Sequence, residues 1–354
     1  MPFSYTCHLW RFIMLSFESD YTEGAHPEIL RRLVETNMVQ QPGYGSDVWC
    51  ESAKGKIRAT VGYPNADVHF LTGGTQTNMI VIDALLGACE GVVSADTGHI
   101  QCHEAGAVES CGRKILPVPH DQGKIRADVL LHYLNKFYAD SSYTHMVYPG
   151  MVYISHPTEY GTLYSLEELR ALSHVCNQFN IPLFMDGARL GYGLMSHGTD
   201  VTLKNVADLC DVFYIGGTKV GGLCGEAVVF PRREAPKHFF TFIKQHGALL
   251  AKGRLLGVQF DTLFTDDLYF RISRHAIEMA DRIRDALTAK GYKFFLPTVT
   301  NQLFVVLDDA QLEKLTGSIS CSIWEHLDDG RTVIRLATSW ATTEENVNTL
   351  IEVL

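Results

Sequence analysis

The stretch Asp211-Val-Phe-Tyr-Ile-Gly-Gly-Thr-Lys219 decides how the rest of the chain is interpreted. Its apolar run, Val212 to Gly216, predicts a buried β-strand, and the two glycines predict a tight turn at its end. The turn delivers Lys219 to the carboxyl end of the strand. A buried amine has a lowered pKa and can attack carbonyl groups, whereas a lysine on an exposed loop is inert, and this stretch alone leaves both interpretations open.

Strand-like and helix-like segments alternate around this stretch. One predicted helix begins with the capping box Ser165-Leu-Glu-Glu168, after which apolar residues repeat at helical spacing. The alternation predicts an α/β fold with a mostly parallel sheet, covered on both faces by helices, and with ligands at the carboxyl ends of the strands. The predicted strands are 68–71, 91–95, 114–118, 151–155, 182–185, 212–215 and 227–230.

The pattern changes around residue 247. A long amphipathic helix is predicted from Leu268 to Leu287, followed by strands at 303–307 and 332–337 and a last helix capped at Thr342. We therefore expect a tail at residues 1–13, a large α/β domain at residues 14–245, and a linking helix with a small α+β domain at residues 246–354.

Composition and charge exclude several classes of function. The chain of 354 residues is 46% hydrophobic and 20% charged, as is ordinary for a globular protein. Its formal charge of -10 and the lack of clustered Lys and Arg argue against a nucleic-acid partner. No apolar run reaches the roughly 18 residues that a membrane span needs. Nine scattered cysteines without a Cys-x-x-Cys pair favour reduced thiols and a cytoplasmic location.

Three further groups lie at predicted strand ends. Thr72-Gly-Gly-Thr-Gln-Thr-Asn78 joins a strand to a helix, where N–H groups can hold a phosphate, although a plain turn has the same composition. His99 follows the strand that ends at Ala95. Asp186 lies in an apolar strand, where a carboxylate is costly unless it meets a cation or an N–H donor.

A metal site is an alternative role for the histidines. His99 and His103 are four residues apart with Glu104 beside them, so a helix would place both imidazoles on one face. Zinc sites use at least three protein ligands, and the sequence shows no obvious third. We therefore expect no bound metal.

Taken together, the strand-end groups match the needs of pyridoxal 5'-phosphate. This cofactor needs an amine for its aldehyde, an anion site for its phosphate, a carboxylate beside its ring nitrogen and a flat group against its ring. The phosphate turn comes first and the lysine last, which is typical of the aminotransferase-like fold. The predicted groups are Lys219 for the amine, Gly73, Gly74, Thr75 and Gln76 for the phosphate, Asp186 for the nitrogen and His99 for the ring.

From about residue 17 to its end the chain resembles the threonine aldolase and β-eliminating lyase family, which has fold type I. In that family the matching lysine bonds to the cofactor, the aspartate pairs with the pyridine nitrogen and the histidine stacks on the ring. The resemblance rests on Glu18-Ser-Asp20, Gly43-Tyr-Gly-Ser-Asp47, the Gly-Gly-Thr turn ending at Asn78, Asp96 to His99, and Asp186-Gly-Ala-Arg189 followed by Lys219.

The same resemblance implies further site residues. Arg189 and Arg335 would hold the substrate carboxylate, helped by Ser19, with Arg189 also near the cofactor. Tyr44 is expected to line the same cleft. Lys252-Gly-Arg254 lies where family members reach into a neighbouring subunit, so Arg254 is a predicted cofactor ligand and a homodimer or homotetramer with shared active sites is implied.

Two segments depart from the family pattern. The usual Glu-Asn-Thr-His segment is here Ser155-His-Pro-Thr-Glu-Tyr-Gly161, so His156 and Glu159 are expected to contact the substrate in a different way. The usual Ser-Gly-Thr start of the phosphate turn is Gly73-Gly-Thr75, which loses one hydroxyl group.

The implied activity is that of a lyase. It would cleave the Cα–Cβ bond of a β-hydroxy-α-amino acid, taking threonine or allo-threonine to glycine and acetaldehyde, with His99 as the predicted base. Two alternatives remain open. One is β-elimination or transamination of another amino acid with the same cofactor, and the other is a non-catalytic protein that binds the cofactor or assembles with partners.

Overall fold

The computed structural model describes residues 14–232 and 234–354, so the tail predicted at residues 1–13 lies outside the described residues. The described strands form sheets of seven, four and two strands. In chain order the strands are β1 (Leu15–Ser16), β2 (Asp67–Leu71), β3 (Glu90–Ala95), β4 (Lys114–Val118), β5 (Tyr148–Ser155), β6 (Leu183–Asp186), β7 (Val212–Gly216), β8 (Glu226–Phe230), β9 (Lys293–Phe294), β10 (Gln302–Leu307), β11 (Ile319–Ser320), β12 (Ser322–His326) and β13 (Thr332–Ala337).

Helices separate most of these strands. In chain order they are α1 (Pro27–Thr36), α2 (Val48–Val61), α3 (Gly74–Leu85), α4 (His99–Cys102), α5 (Ala107–Ser110), α6 (Ala127–Ala139), α7 (Leu166–Gln178), α8 (Leu190–Met195), α9 (Leu203–Leu209), α10 (Phe239–Gln245), α11 (Arg254–Leu263), α12 (Leu268–Ala289), α13 (Asp309–Thr316) and α14 (Glu344–Val353). None of the helices in the described ranges has both the length and the apolar composition that crossing a bilayer requires.

The large sheet has the order β2-β8-β7-β6-β5-β3-β4, and within it only β8 runs against the other strands. The predicted mostly parallel sheet is confirmed, and each predicted strand is present within three residues of its expected bounds. Both faces of the sheet are buried. Met185 and Phe213 pack on one face, and their neighbours Phe184 and Val212 pack on the other. Burial on both faces explains why the strands are continuous apolar runs.

The predicted helices agree with the structure in part. The capping box at the start of α7 is confirmed, because the Ser165 hydroxyl accepts from Glu168 N and the Glu168 carboxylate accepts from Ser165 N. The last helix was predicted one residue too early, since its N-cap is Thr343. Helix α2 was missed: its buried face holds small side chains, such as Cys50 and Ala53, and carries only a weak apolar pattern.

The C-terminal part is built on α12 and the antiparallel sheet β12-β13-β10-β9. Its core includes Met279 of α12, Leu336 of β13 and Val347 of α14. The start of the described chain also belongs here, because β1 pairs with β11 and Phe17 is buried in the same core. The small α+β part is therefore present, while the boundary at residue 245 stays a prediction.

Two glycines bring the ends of β6 and β7 unusually close together. A Cβ atom on Gly187 would lie 1.9 Å from the Tyr214 carbonyl oxygen, and one on Gly216 would lie 2.3 Å from the Ala188 carbonyl oxygen. No L side chain fits at such distances without a backbone shift. These glycines therefore set the spacing between the strand that carries Asp186 and the strand that leads to Lys219.

We expect Gly187→Ala and Gly216→Ala each to lower the free energy of unfolding by about 1–3 kcal/mol, because the added methyl group overpacks this contact. The midpoint of urea unfolding, followed by circular dichroism, measures the change. Gly55→Ala is the matched control. Gly55 lies inside α2 with no atom near the added methyl group, so this change should raise stability by about 0.5–1 kcal/mol. Unchanged midpoints for both sheet variants would contradict the close-packing argument.

Candidate active site

Two adjoining cavities open at the carboxyl ends of the parallel strands, where the sequence predicted a ligand. The inner cavity, of about 320 Å³, is lined by seven predicted site residues: Gly74, Thr75, His99, Glu159, Asp186, Arg189 and Lys219. The outer cavity, of about 440 Å³, shares Lys219 and His99 with it. The outer cavity extends to the C-terminal part of the chain, with Arg189, Glu159, Trp324 and Arg335 in its walls.

Lys219 reaches the inner cavity because the chain turns back immediately after β7. Backbone N–H groups of Gly217 and Thr218 donate to the Gly225 carbonyl, and the Tyr192 hydroxyl donates to the Lys219 carbonyl at 2.6 Å. Desolvation lowers the pKa of the Lys219 amine, and the nearby Arg189 guanidinium lowers it further. A lowered pKa increases the neutral, nucleophilic fraction of the amine.

Asp186 is a buried carboxylate held by four donors. The Tyr153 hydroxyl at 2.6 Å and Asn78 Nδ2 at 2.9 Å donate to Oδ2, whereas Ala188 N at 2.9 Å and the Tyr214 hydroxyl donate to Oδ1. Burial alone would raise the pKa of Asp186, but the facing His99 and these hydrogen bonds outweigh it and hold the pKa below its ordinary value. The group therefore stays ionised in the cavity and can hold a proton on a ring nitrogen.

His99 is fixed by Glu104, a residue that the sequence analysis mentioned only as a metal candidate. His99 Nδ1 lies 2.7 Å from Glu104 Oε1, and the Glu104 side chain is fully buried. Because the acceptor is a carboxylate, we assign the proton to Nδ1. Asn78 Nδ2 donates to the same Glu104 oxygen at 2.7 Å and also to Asp186, so one amide ties both carboxylates together.

The predicted phosphate turn opens α3. Its N-cap is Gly73, which has no side chain to accept from the first N–H groups of the helix. Gly74 and Thr75 line the inner cavity, so these N–H groups and the positive end of the helix dipole are available to an anion. Gly73 and Gln76 adjoin the turn without lining the cavity, and the Gln76 amide oxygen accepts from the Thr72 hydroxyl instead.

The two predicted arginines are held differently. Arg189 donates from Nε and Nη2 to both oxygens of the fully buried Asp20, at 2.6 and 3.0 Å. Arg335 donates from Nη2 to the Glu18 carbonyl at 2.9 Å, whereas its Nε is buried without a partner in the described chain. Burial and the neighbouring Arg189 lower the pKa of Arg335. A half-buried guanidinium with an unused donor is suited to binding a carboxylate.

His156 and Glu159, which the sequence placed together at the substrate, point to different places. The His156 ring is buried away from both cavities, and its Nδ1 accepts from the Tyr164 N–H at 3.3 Å. Burial lowers the pKa of His156 to about 4, so the ring stays neutral. Glu159, in contrast, lines both cavities.

Three other predicted residues do not line the inner or the outer cavity. Ser19 is buried between Glu18 and Asp20, which hold the two arginines. Tyr44 lines a separate cavity with the Lys244 ammonium over its ring. Arg254 lies over the Trp49 ring and donates to backbone carbonyls at the end of α1, so its contribution to a neighbouring subunit stays a prediction.

Glu226 is a cavity residue that the sequence analysis missed. It is the first residue of β8 and lines the inner cavity with Lys219. Its carboxylate accepts from the Thr218 hydroxyl at 2.8 Å and from Gly217 N at 3.2 Å, and burial raises its pKa to about 8. An acidic residue beside an apolar strand was the signal that identified Asp186, and the run from Glu226 to Phe230 carries the same signal.

Comparisons with known proteins show which family the chain is similar to. The model of the beta-eliminating lyase family matches residues 16–310. A low specificity L-threonine aldolase from Pseudomonas aeruginosa is 28% identical over 337 residues, which cover 94% of this chain and 95% of the relative. The structure of Leishmania major threonine aldolase superimposes with a TM-score of 0.92 at 41% identity, covering 96% of this chain and 98% of the other.

More distant structures support the fold alone. An aspartate aminotransferase variant from Thermus thermophilus matches with a TM-score of 0.68 at 15% identity, covering 96% of this chain and 90% of the other. The predicted aminotransferase-like fold is therefore confirmed.

We expect Asp20→Asn to lower the free energy of unfolding by about 3–5 kcal/mol at neutral pH, because it leaves the buried Arg189 cation without its anion. Arg189 and Lys219 outweigh the effect of burial and lower the pKa of Asp20 below 3.8, so the stabilisation is complete above about pH 4 and is lost as the pH falls further. Urea unfolding of both proteins between pH 3 and pH 7 should show their difference shrinking below about pH 4. Asp128→Asn, which breaks an exposed pair with Arg126, is the control and should leave stability unchanged at every pH.

Proposed function

Because the chain belongs to the beta-eliminating lyase family, we propose that it is a pyridoxal-phosphate-dependent lyase that cleaves β-hydroxy-α-amino acids. Its substrates would be threonine and allo-threonine, and its products glycine and acetaldehyde. The relatives that are named as threonine aldolases support this choice. The observation that carries it is the placement of Lys219, Asp186, His99 and the start of α3 around one cavity, with Arg335 in the adjoining one.

The described residues fit the cofactor. Lys219 supplies an amine whose pKa is lowered, Asp186 supplies an ionised carboxylate, and Gly74 and Thr75 supply N–H groups at a helix N-terminus. His99 lies beside Asp186 with its ring fixed by Glu104, which supports a position against the cofactor ring. When bound, the cofactor supplies an electron-withdrawing ring that stabilises negative charge on Cα.

The protein's own groups would orient the substrate. Arg335 offers its unused Nε to the substrate carboxylate, and Arg189 offers the guanidinium nitrogen that Asp20 does not engage. With the substrate amine held near Lys219 and its carboxylate held by the arginines, the directions of the remaining bonds of Cα would be fixed. Such fixed orientation is a large part of catalysis by proximity.

We further propose that the chain forms a homodimer or homotetramer with shared active sites, in a cytoplasmic compartment. Three apolar side chains of α1 and the loop after it are 45%, 77% and 87% exposed in the single chain: Leu30, Val34 and Met38. Apolar side chains clustered in this way are typical of an interface. The eight described cysteines are all free thiols, as expected in a reducing compartment.

The reaction products test the proposed activity. Purified protein with added pyridoxal 5'-phosphate should convert L-threonine or L-allo-threonine to glycine and acetaldehyde in equal amounts, measured by amino-acid analysis and a coupled alcohol dehydrogenase assay. Ammonia with a keto acid would instead identify an elimination or transamination enzyme. Cofactor binding without turnover of any hydroxy amino acid would identify a non-catalytic protein.

The covalent attachment of the cofactor is tested on Lys219. Wild-type protein should be yellow and should retain the cofactor on Lys219 after borohydride reduction, as located by peptide mass spectrometry. Lys219→Ala should lose both the covalent adduct and all activity, because Lys219 is the one lysine among the described residues that line the inner cavity. Lys136→Ala, which removes an exposed lysine of α6, should behave as wild type. A colourless wild-type protein would contradict the proposed cofactor.

A further inference from the structure

We propose that Glu159 is the catalytic base that accepts the proton of the substrate's β-hydroxyl group. This inference rests on the proposed function, and it assigns the role to a residue other than His99, the base expected from the sequence. Three observations support it: the position of Glu159, its hydrogen bonds, and the other contacts made by the nearby histidines.

The position of Glu159 follows from the two anchors of the substrate. Lys219 marks the amine and Arg335 marks the carboxylate, and both groups are attached to Cα. The β-hydroxyl must therefore reach a wall of the outer cavity that neither anchor occupies. Glu159 lies in that wall and also borders the inner cavity, and it is the one carboxylate among the described residues that line the outer cavity.

The hydrogen bonds of Glu159 orient it for this task. Its Oε1 accepts from the Ser155 hydroxyl at 2.6 Å and from the His99 backbone N–H at 3.0 Å. Both donors act on the same oxygen, so they fix the carboxylate and leave Oε2 as the oxygen for a ligand. A base must lie within hydrogen-bond reach of the proton that it removes, and a fixed carboxylate at the cavity wall meets this requirement.

The histidines nearby are less well placed for the role. His99 Nδ1 is engaged by Glu104, and its ring is the flat group proposed to lie against the cofactor. His156 lines neither cavity, and its Nδ1 accepts a hydrogen bond from the Tyr164 backbone N–H. His103 lines the outer cavity but is exposed, so it is retained as the competing base in the experiment below.

The surroundings of Glu159 raise its basicity. Burial raises the pKa of its carboxyl group above the ordinary value and Asp186 adds to this, while the Ser155 hydrogen bond and His99 partly oppose it. A carboxylate with a raised pKa accepts a proton more readily than a solvent-exposed one. Titratable groups of the neighbouring elements interact electrostatically with it: His99, Cys102, Tyr153, Tyr160, Tyr164 and Asp186. Further titratable or charged groups line the two cavities with it: Tyr21, His103, Arg189, Tyr214, Lys219, Glu226 and Arg335.

The proton and electron balance of the step is simple. The O–H bond of the β-hydroxyl breaks, its proton moves to Glu159 Oε2, and its electron pair forms the aldehyde C=O bond. The Cα–Cβ bond breaks at the same time, and its electron pair remains with the glycine carbon. That carbon takes a proton from water in the outer cavity, and Glu159 releases its own proton there, so no further reactant is needed.

Glu159→Gln in the holoenzyme tests the proposal. The glutamine carbonyl oxygen can accept from both the Ser155 hydroxyl and the His99 backbone N–H, so the variant should fold and retain the visible absorption band of the bound cofactor. Its amide nitrogen cannot act as a base. We expect kcat for threonine cleavage to fall about 10²- to 10⁴-fold with little change in KM. In the wild type, kcat/KM should rise with pH as Glu159 ionises, and this acid limb should vanish in Glu159→Gln.

A second readout separates this proposal from the proposed function. Exchange of the glycine α-proton for deuterium, followed by NMR, needs the cofactor and Arg335 but no β-hydroxyl, so Glu159→Gln should retain it. Wild-type protein that neither cleaves threonine nor exchanges glycine would overturn the proposed function itself. Undiminished cleavage by Glu159→Gln, or loss of cleavage in His103→Asn alone, would overturn the assignment of Glu159 while the function stands.

Discussion

The buried negative charge of Asp186 is the constraint on which the site depends. An ionised carboxylate inside a protein costs several kcal/mol unless donors surround it. Its three side-chain donors come from three different elements, with Tyr153 on β5, Tyr214 on β7 and Asn78 on α3. Satisfying one charge therefore fixes the relative positions of those elements, and with them the cavity. The same charge is what a pyridinium ring nitrogen needs, so the requirement of the fold and that of the chemistry coincide.

The sequence predicted this architecture where the determining information is local. The strands of the large sheet were found because burial on both faces makes them continuous apolar runs, and Lys219, Asp186 and His99 were found because they lie at strand ends. Glu104 and the tyrosines around Asp186 were missed as site residues, because their roles depend on which elements become neighbours. His156 was misplaced for a similar reason, since sequence spacing cannot tell which side of a turn a ring will occupy.

Two kinds of interaction position the site residues: the close backbone contact at two glycines, and the hydrogen bonds among Asp186, Glu104 and His99. The close contact at Gly187 and Gly216 sets the distance between two strands through steric exclusion, which is insensitive to pH. The Asn78 amide then links Asp186 to Glu104, and through it to His99, by hydrogen bonds that depend on protonation. The steric contact and the hydrogen bonds therefore position the site residues by two different physical means.

The first described residues have a role larger than their length suggests. Within four residues, Glu18 holds Arg335 through its carbonyl, Asp20 holds Arg189 and Tyr21 lines both cavities, and β1 secures this segment on β11. Residues 18–20 therefore contact both arginines and hold their side chains in place. A chain shortened past Leu15 would therefore lose the contacts that hold both arginines. Substrate affinity could change there even though the sheet and the lysine remain intact.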